Sequence, residues 1–402
     1  MARVACPFCF REIDSARLAF QCTGNGTTPC GREEDELRVE LTGNRVTTHP
    51  TFDPPESRFK AGSPESRFRT SAPCPECGGA ARRRACPSCH TVLPIDFVNS
   101  DSPMIGLVGA KGSGKTVLMT VLVHQLRDLV GRRFGADIRL ATDRPDGQQG
   151  IAAWQDQREK PLFEVGTLPP QTEANQQRRR EPIVLRWRQE VARPMGLGSA
   201  TRSTILSFVD TAGEDLNDEA TTFSLQYLAV ADALVVVLDP FMLPGAREQA
   251  NVPDDAIRGD RYVTLDVLGR ITELLRTQHG VRTKHKIKIP MALVFTKIDA
   301  FYPVLDRSSP LLAAVSPQPV YDEAAGQAVH ENVLALMHAW GADDIDRHMC
   351  LNYKTFRYFA VSALGAPPDY GRARVADGGV RPHRVEDPLL WLLSKQGAVT
   401  TG

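Results

Sequence analysis

The sequence predicts an α/β fold: a doubly wound, mostly parallel sheet with large insertions, preceded by a small cysteine-rich region. Three observations carry that expectation. An apolar run, Met104-Ile105-Gly106-Leu107-Val108, leads into Gly109-Ala110-Lys111-Gly112-Ser113-Gly114-Lys115-Thr116, and a helix-length apolar stretch from Val117 to Leu126 follows. From residue 104 onward, strand-like and helix-like patterns alternate, as a sheet covered on both faces requires. Eight of the nine cysteines lie before residue 90.

Strand, glycine turn and helix are the setting that gives the G-x-x-x-x-G-K-[ST] pattern its meaning as a phosphate-binding P-loop. Gly109, Gly112 and Gly114 let backbone N–H groups, with that of Ser113, close around phosphate oxygens in front of a helix N-terminus. Lys115 is expected to reach the β/γ-phosphates, and the Thr116 hydroxyl to take a Mg²⁺ position.

At 402 residues the chain has room for two or three domains. Its net charge of zero offers no global attraction to nucleic acid or membrane. Cys6 and Cys9 stand where a secretory signal would be apolar, and the most apolar stretch, 225–243, is broken by Asp232 and Asp239. A cytoplasmic protein without a membrane span is expected.

The cysteines divide the chain into an expected zinc-binding module at 1–50, a flexible linker at 51–72, a second zinc knuckle at 73–92 and a nucleotide domain at 103–398. Cys74-x2-Cys77-x8-Cys86-x2-Cys89 offers four thiolates to one closed tetrahedral metal site. Cys6-x2-Cys9-x12-Cys22-x7-Cys30 is a looser quartet that suggests a second zinc, with His49 or His90 available as substitutes. The pairs can also interleave between the sites. A reducing compartment disfavours disulfides. Cys350 stands alone and reads as a buried thiol. In the linker, Pro55-Glu56-Ser57-Arg58-Phe59 recurs as Pro64-Glu65-Ser66-Arg67-Phe68. Arg82-Arg83-Arg84 reads as a solvated basic turn without an aromatic stacking platform.

Further along, 181–191 and 204–210 read as a hairpin with residues 194–198 near its bend, ending in Asp210-Thr211-Ala212-Gly213-Glu214. A carboxylate at a core strand's C-terminal end can hold a Mg²⁺ shell, and the Gly213 N–H can approach a γ-phosphate. Residues 233–239 (ALVVVLD) and 290–296 (PMALVFT) read as buried strands, the second ending in Thr296-Lys297-Ile298-Asp299. Asp299 is placed to accept from both N1–H and N2–H₂ of guanine, a donor pair that adenine lacks. The Lys297 stem would pack along the base. Residues 357–361 (RYFAV) lead into Ser362-Ala363-Leu364, whose backbone N–H could meet guanine O6.

These four motifs, in this order, resemble the translation-factor and Ras-like (TRAFAC) class of P-loop GTPases. The resemblance spans about residues 104–398 and implies GTP and Mg²⁺ as ligands. Thr296 replaces the commoner Asn. A switch I threonine is implied at Thr167 or Thr172, with Thr172 favoured because it follows Pro169-Pro170 and lies closer to the hairpin. Glu214 stands where Ras-like enzymes carry the Gln that orients the attacking water, which implies slow turnover. Lys111 replaces a small residue and either adds positive charge near the γ-phosphate or points to solvent.

More narrowly, the cysteine-rich N-terminus, Val108–Thr116, Leu168–Thr172 and a terminal helix at Pro388–Leu393 look like the bacterial double-GTPase families. That likeness implies a conflict or signalling system, with effector or adaptor proteins, another GTPase among them, as partners. The expectation is a slow GTP-driven switch whose two-zinc module docks partners. The alternatives are a permanently GTP-loaded scaffold and a ribosome- or RNA-linked GTPase, the latter disfavoured by neutral charge and few aromatics.

Overall fold

The computed structural model describes residues 3–43, 45, 47–53, 70–97, 100–110, 112–141, 155–169, 182–192, 198–212, 227–250 and 262–402. Their central feature is a seven-stranded sheet. Its strands are β1 (Met104–Gly109), β2 (Ala136–Leu140), β3 (Ile183–Ala192), β4 (Ser199–Ala212), β5 (Ala233–Leu238), β6 (Met291–Phe295) and β7 (Phe356–Ala360). Their spatial order is β2-β3-β4-β1-β5-β6-β7. β3 runs antiparallel to both of its neighbours, while β4, β1, β5, β6 and β7 pair in parallel.

The apolar runs explain the two-sided burial. Leu234 and Val236 of β5 join one core with Leu268, Ile271, Val333 and Met337, whereas Val235 and Val237 join another with Leu118, Val121 and Leu122. A strand that is apolar at every position suits a sheet buried on both faces. The first core holds α3 (Tyr262–Gln278), α4 (Glu323–Ala339) and α5 (Asp343–Asn352), and the second holds α1 (Lys115–Gln125) and α6 (Asp387–Lys395). A short helix, α2 (Pro244–Ala250), follows β5. Asp322 caps α4 by accepting from the Ala325 N–H at 2.8 Å, which satisfies one of the open donors of the first turn.

Edge strand β2 was not read from the sequence, although Ile138 and Leu140 are buried and alternate with exposed Asp137 and Arg139. Arg83 and Arg84 also depart from expectation: they lie in a strand, Arg83–Ala85, rather than a turn. The Arg84 guanidinium covers the Phe20 ring at 4.1 Å and donates to the Leu18 carbonyl. Cys350 is exposed, not buried; it sits on α5, whose buried residues are Ile345 and Met349. No helix among the described residues is long and apolar enough to cross a membrane.

The entry to α6 concentrates buried charge. Arg384, in the left-handed region at φ 58°, pairs with Asp387 at 2.7 Å and donates to the Pro310 and Ala313 carbonyls. Burial, and then the neighbouring Asp387, lift the Glu386 carboxyl to about 7, against smaller opposing pulls that include the charges of Arg133 and Arg384. A carboxyl that binds its proton more tightly when folded stabilises the fold below its unfolded pKa, and that contribution is lost as pH rises to the folded value. Glu386→Gln should therefore raise unfolding free energy at pH 8 by up to about 3 kcal/mol, and by less at pH 5. Urea unfolding at the two pH values checks this; an equal effect at both would contradict it.

Candidate nucleotide site and cysteine clusters

The phosphate loop is shaped by close backbone approach. A Cβ on Gly109 would lie 2.4 Å from the Val237 carbonyl oxygen of β5, so only glycine lets β1 turn there. Gly112 and Gly114 have φ of 80° and 83°, a region costly for residues with a side chain. Lys115 is buried at the start of α1, and its ammonium donates to the carbonyls of Gly109 (2.6 Å) and Ala110 (2.8 Å). The cation is thus folded across the loop, where phosphate oxygens can replace those carbonyls. Thr116 occupies the first turn of α1. Lys111 lies outside the described residues.

Backbone register aligns the next motif with this loop. Asp210 is opposite Leu107, and Ala212 is opposite Gly109. Gly213 and Glu214 lie outside the described residues, as does Thr172. Thr167 is exposed; its N–H donates to the Pro161 carbonyl at 2.8 Å, and it bridges to Arg374.

The two motifs expected to meet the base converge on the same sheet edge. The Thr296 hydroxyl donates to the Ser113 carbonyl at 2.8 Å, tying the end of β6 to the P-loop. That bond gives the threonine a physical role in place of the commoner Asn. Asp299 is 6% exposed and accepts a short hydrogen bond from the Ser362 hydroxyl, which itself accepts from the Gly365 N–H at 2.7 Å. Burial raises the Asp299 carboxyl above its ordinary range, and the Ser362 hydrogen bond opposes that rise. Such a carboxylate gains most from two ligand N–H donors. Ala363 and Leu364 follow Ser362, and Leu364 accepts from the Arg381 N–H.

In the sequence Asp239 is no more than a break in an apolar stretch and the last residue of the apolar run 233–239. In the structure it accepts from the Lys297 ammonium at 2.6 Å. Its sole sequence signal is position: a carboxylate directly after the buried strand β5.

The cysteines assemble crosswise. Cys6, Cys9, Cys86 and Cys89 form one cluster, and Cys22, Cys30, Cys74 and Cys77 form the other. The quartets contiguous in sequence are therefore not the spatial ones, and each cluster takes ligands from both segments. The cause is the small sheet in which Ala19–Gln21 pairs with both Thr51–Phe52 and Arg83–Ala85. His90 is turned to Asp35 at 2.8 Å and His49 to the Gly31 carbonyl, so neither joins a cluster. Sγ–Sγ separations are 3.9 Å for Cys6–Cys89 and Cys9–Cys86, and 3.5 Å for Cys22–Cys77. Four sulfurs about 2.3 Å from one tetrahedral ion would stand about 3.8 Å apart. The donor set and its spacing fit zinc. Phe10, Gly78 and His90, each directly after the second cysteine of a C-x-x-C pair, all have positive φ, which closes each knuckle. The Gly24 and Ser88 N–H groups donate to the sulfurs of Cys22 and Cys86.

Residues 103–318 match the family model described as Double-GTPase 2. The chain is 26% identical to a putative ESX-1 scaffolding and assembly protein, SaeC, of Mycolicibacterium smegmatis, over 98% of this chain and 99% of that one. Among solved structures it is similar to the S. cerevisiae Ski7 GTPase-like domain bound to GTP, at 12% identity and a TM-score of 0.32, covering 75% of this chain and 51% of that one. It is also similar to sup35 complexed with GDP, at 15% identity and a TM-score of 0.24, covering 70% and 41%. The chain thus spans about half the length of these solved chains or less.

Thr296→Val preserves shape but leaves the Ser113 carbonyl without its donor. It should lower unfolding free energy by about 1–2 kcal/mol. Thermal unfolding of the full chain checks this, and an unchanged midpoint would show that the strand-to-loop bond contributes nothing.

Proposed function

The chain belongs to the Double-GTPase 2 family, and we propose that it is a Mg²⁺-dependent GTP-binding protein that hydrolyses GTP slowly and controls a protein-docking surface. The observation that carries this reading is the bond from Thr296 to Ser113, which fastens the segment bearing Asp299 to the phosphate loop. Phosphate and base recognition then belong to one site.

In this reading the backbone from Gly109 to Gly114 cradles the β/γ-phosphates, and Lys115 exchanges its loop carbonyls for phosphate oxygens. Thr116, Asp210 and Thr172 would hold Mg²⁺, whose chemistry is to offset charge between the β- and γ-phosphates. The Gly213 N–H meets the γ-phosphate. Asp299 accepts from the guanine edge, Lys297 lines the base, and the Ser362–Leu364 segment meets guanine O6. Glu214 can hold a water, but its charge opposes the γ-phosphate, so turnover is slow. Lys111 would add positive charge near the γ-phosphate. GTP orders the segments around Thr172 and Asp210, and hydrolysis releases them.

The two cysteine clusters would hold two structural zinc ions, because four thiolates leave no open position for chemistry. Their role is to give the N-terminal region a rigid surface for effector or adaptor proteins, in a bacterial conflict or signalling setting. A second reading has its own support. The full-length relative is named a scaffolding and assembly protein, and Glu214 replaces the water-orienting Gln. On that reading GTP is a permanent ligand and the protein is a scaffold.

Two measurements test the proposal. Full-length protein should bind GTP in the presence of Mg²⁺, and Lys115→Ala should lose more than about 100-fold in affinity, since it removes charge-assisted bonds to phosphate. Equal binding by the variant would overturn the site. Single-turnover phosphate release separates switch from scaffold: slow release supports the switch, and none, with or without cell extract, supports the scaffold. Metal analysis should find two zinc per chain; a metal-free, folded protein would remove the zinc assignment.

A further inference from the structure

Asp239 is a buried carboxylate for which the GTPase reading supplies no task. It follows β5, between the phosphate-loop strand and the strand that leads to Asp299. Its side chain is 3% exposed, and both oxygens are engaged. Oδ1 accepts from the Phe241 N–H at 3.0 Å, and Oδ2 accepts from the Lys297 ammonium at 2.6 Å. The same ammonium lies 4.9 Å from the centre of the Phe241 ring, and that ring packs against Phe301 at 6.3 Å. Lys297 itself has φ 58° and precedes the turn that carries Asp299.

Three constraints therefore act on one lysine: a left-handed backbone, a buried carboxylate and an aromatic face. A lysine on the surface loses rotamer freedom when it is fixed. Here the fixing is done before any ligand arrives, which is how a preorganised site gains affinity. The pairing also has an electrostatic consequence. A second free ammonium on this sheet edge would be drawn to a triphosphate, where Lys115 already sits. With its charge matched by Asp239, Lys297 keeps its aliphatic stem beside the Asp299 segment.

We propose that Asp239 is a positioning residue for guanine-nucleotide binding: it holds Lys297 as a wall of the base pocket and away from the phosphates. This inference rests on the GTP-binding reading and adds a residue to that site.

The test is a double-mutant cycle in the full chain, read as affinity and dissociation rate of a fluorescent GDP analogue with Mg²⁺. Asp239→Asn keeps an acceptor for the Phe241 N–H and removes the charge. It should weaken binding about tenfold, through faster dissociation, as for loss of a close charge pair. In a Lys297→Met background the same change should have little further effect. An unchanged affinity in Asp239→Asn, or an equal loss in both backgrounds, overturns the proposal. If Asp239→Asn fails to fold, Phe241→Leu removes the ring beneath the ammonium and leaves the carboxylate. It should cost about threefold, and no loss there overturns the proposal. Failure of the wild-type chain to bind any guanine nucleotide would sink the parent reading and this one together. Tight wild-type binding with an indifferent Asp239→Asn would sink this one alone.

Discussion

Parallel pairing of β1 between β4 and β5 is the constraint on which the rest of the molecule depends. Because these strands share a direction, their C-terminal ends reach one edge, where open α/β sheets bind ligands. The register is tight: Gly109 stands opposite Ala212 on one side and Val237 on the other. Each strand then delivers its motif at the same level, and β6 and β7 extend the series with Asp299 and Ser362. The close approach is visible even within β1. A Cβ on Gly106 would lie 2.1 Å from a Leu234 methyl and 2.7 Å from the Tyr227 hydroxyl.

The cysteine clusters belong to the same arrangement. Cys6, Cys9, Cys86 and Cys89 share a core with Val184 of β3 and Ile205 of β4, the hairpin whose second strand carries Asp210. Phe10, directly after the first knuckle, packs on Tyr227 with ring centres 5.2 Å apart. The N-terminal region is therefore seated on the sheet by apolar contact. Cross-pairing of the cysteines means that one ion in each cluster would tie residues before 31 to residues after 73. The loop closed in this way is long, so the entropy removed from the unfolded chain is large.

Much of the central sheet was legible in the sequence because fully buried strands read as unbroken apolar runs that stop at a polar motif. Thr296-Lys297-Ile298-Asp299 and Ser362-Ala363-Leu364 announce themselves in that way. The cysteine partners were not legible, since spacing along the chain does not say which knuckles meet; the antiparallel register of 19–21 against 83–85 decides it. The partner of Lys297 was hidden for a related reason. Asp239 is fifty-eight positions away, and only the adjacency of β5 and β6 brings the two together. Exposure of Cys350 follows from the face of α5 it occupies, which one isolated thiol does not reveal. Strand β2 is five residues at a sheet edge, too short for its alternation to stand out from a loop.

The central claim is that strand ends far apart in sequence form one guanine-selective site. The most direct test compares wild type and Asp299→Asn for binding of GTP, xanthosine triphosphate and ATP in Mg²⁺ buffer. The account predicts that wild type prefers GTP, and that the variant loses GTP and gains xanthosine triphosphate, because Asn can donate to the xanthine oxygen that replaces the guanine amino group. A wild type that binds ATP as well as GTP, or a variant with unchanged preference, would contradict it.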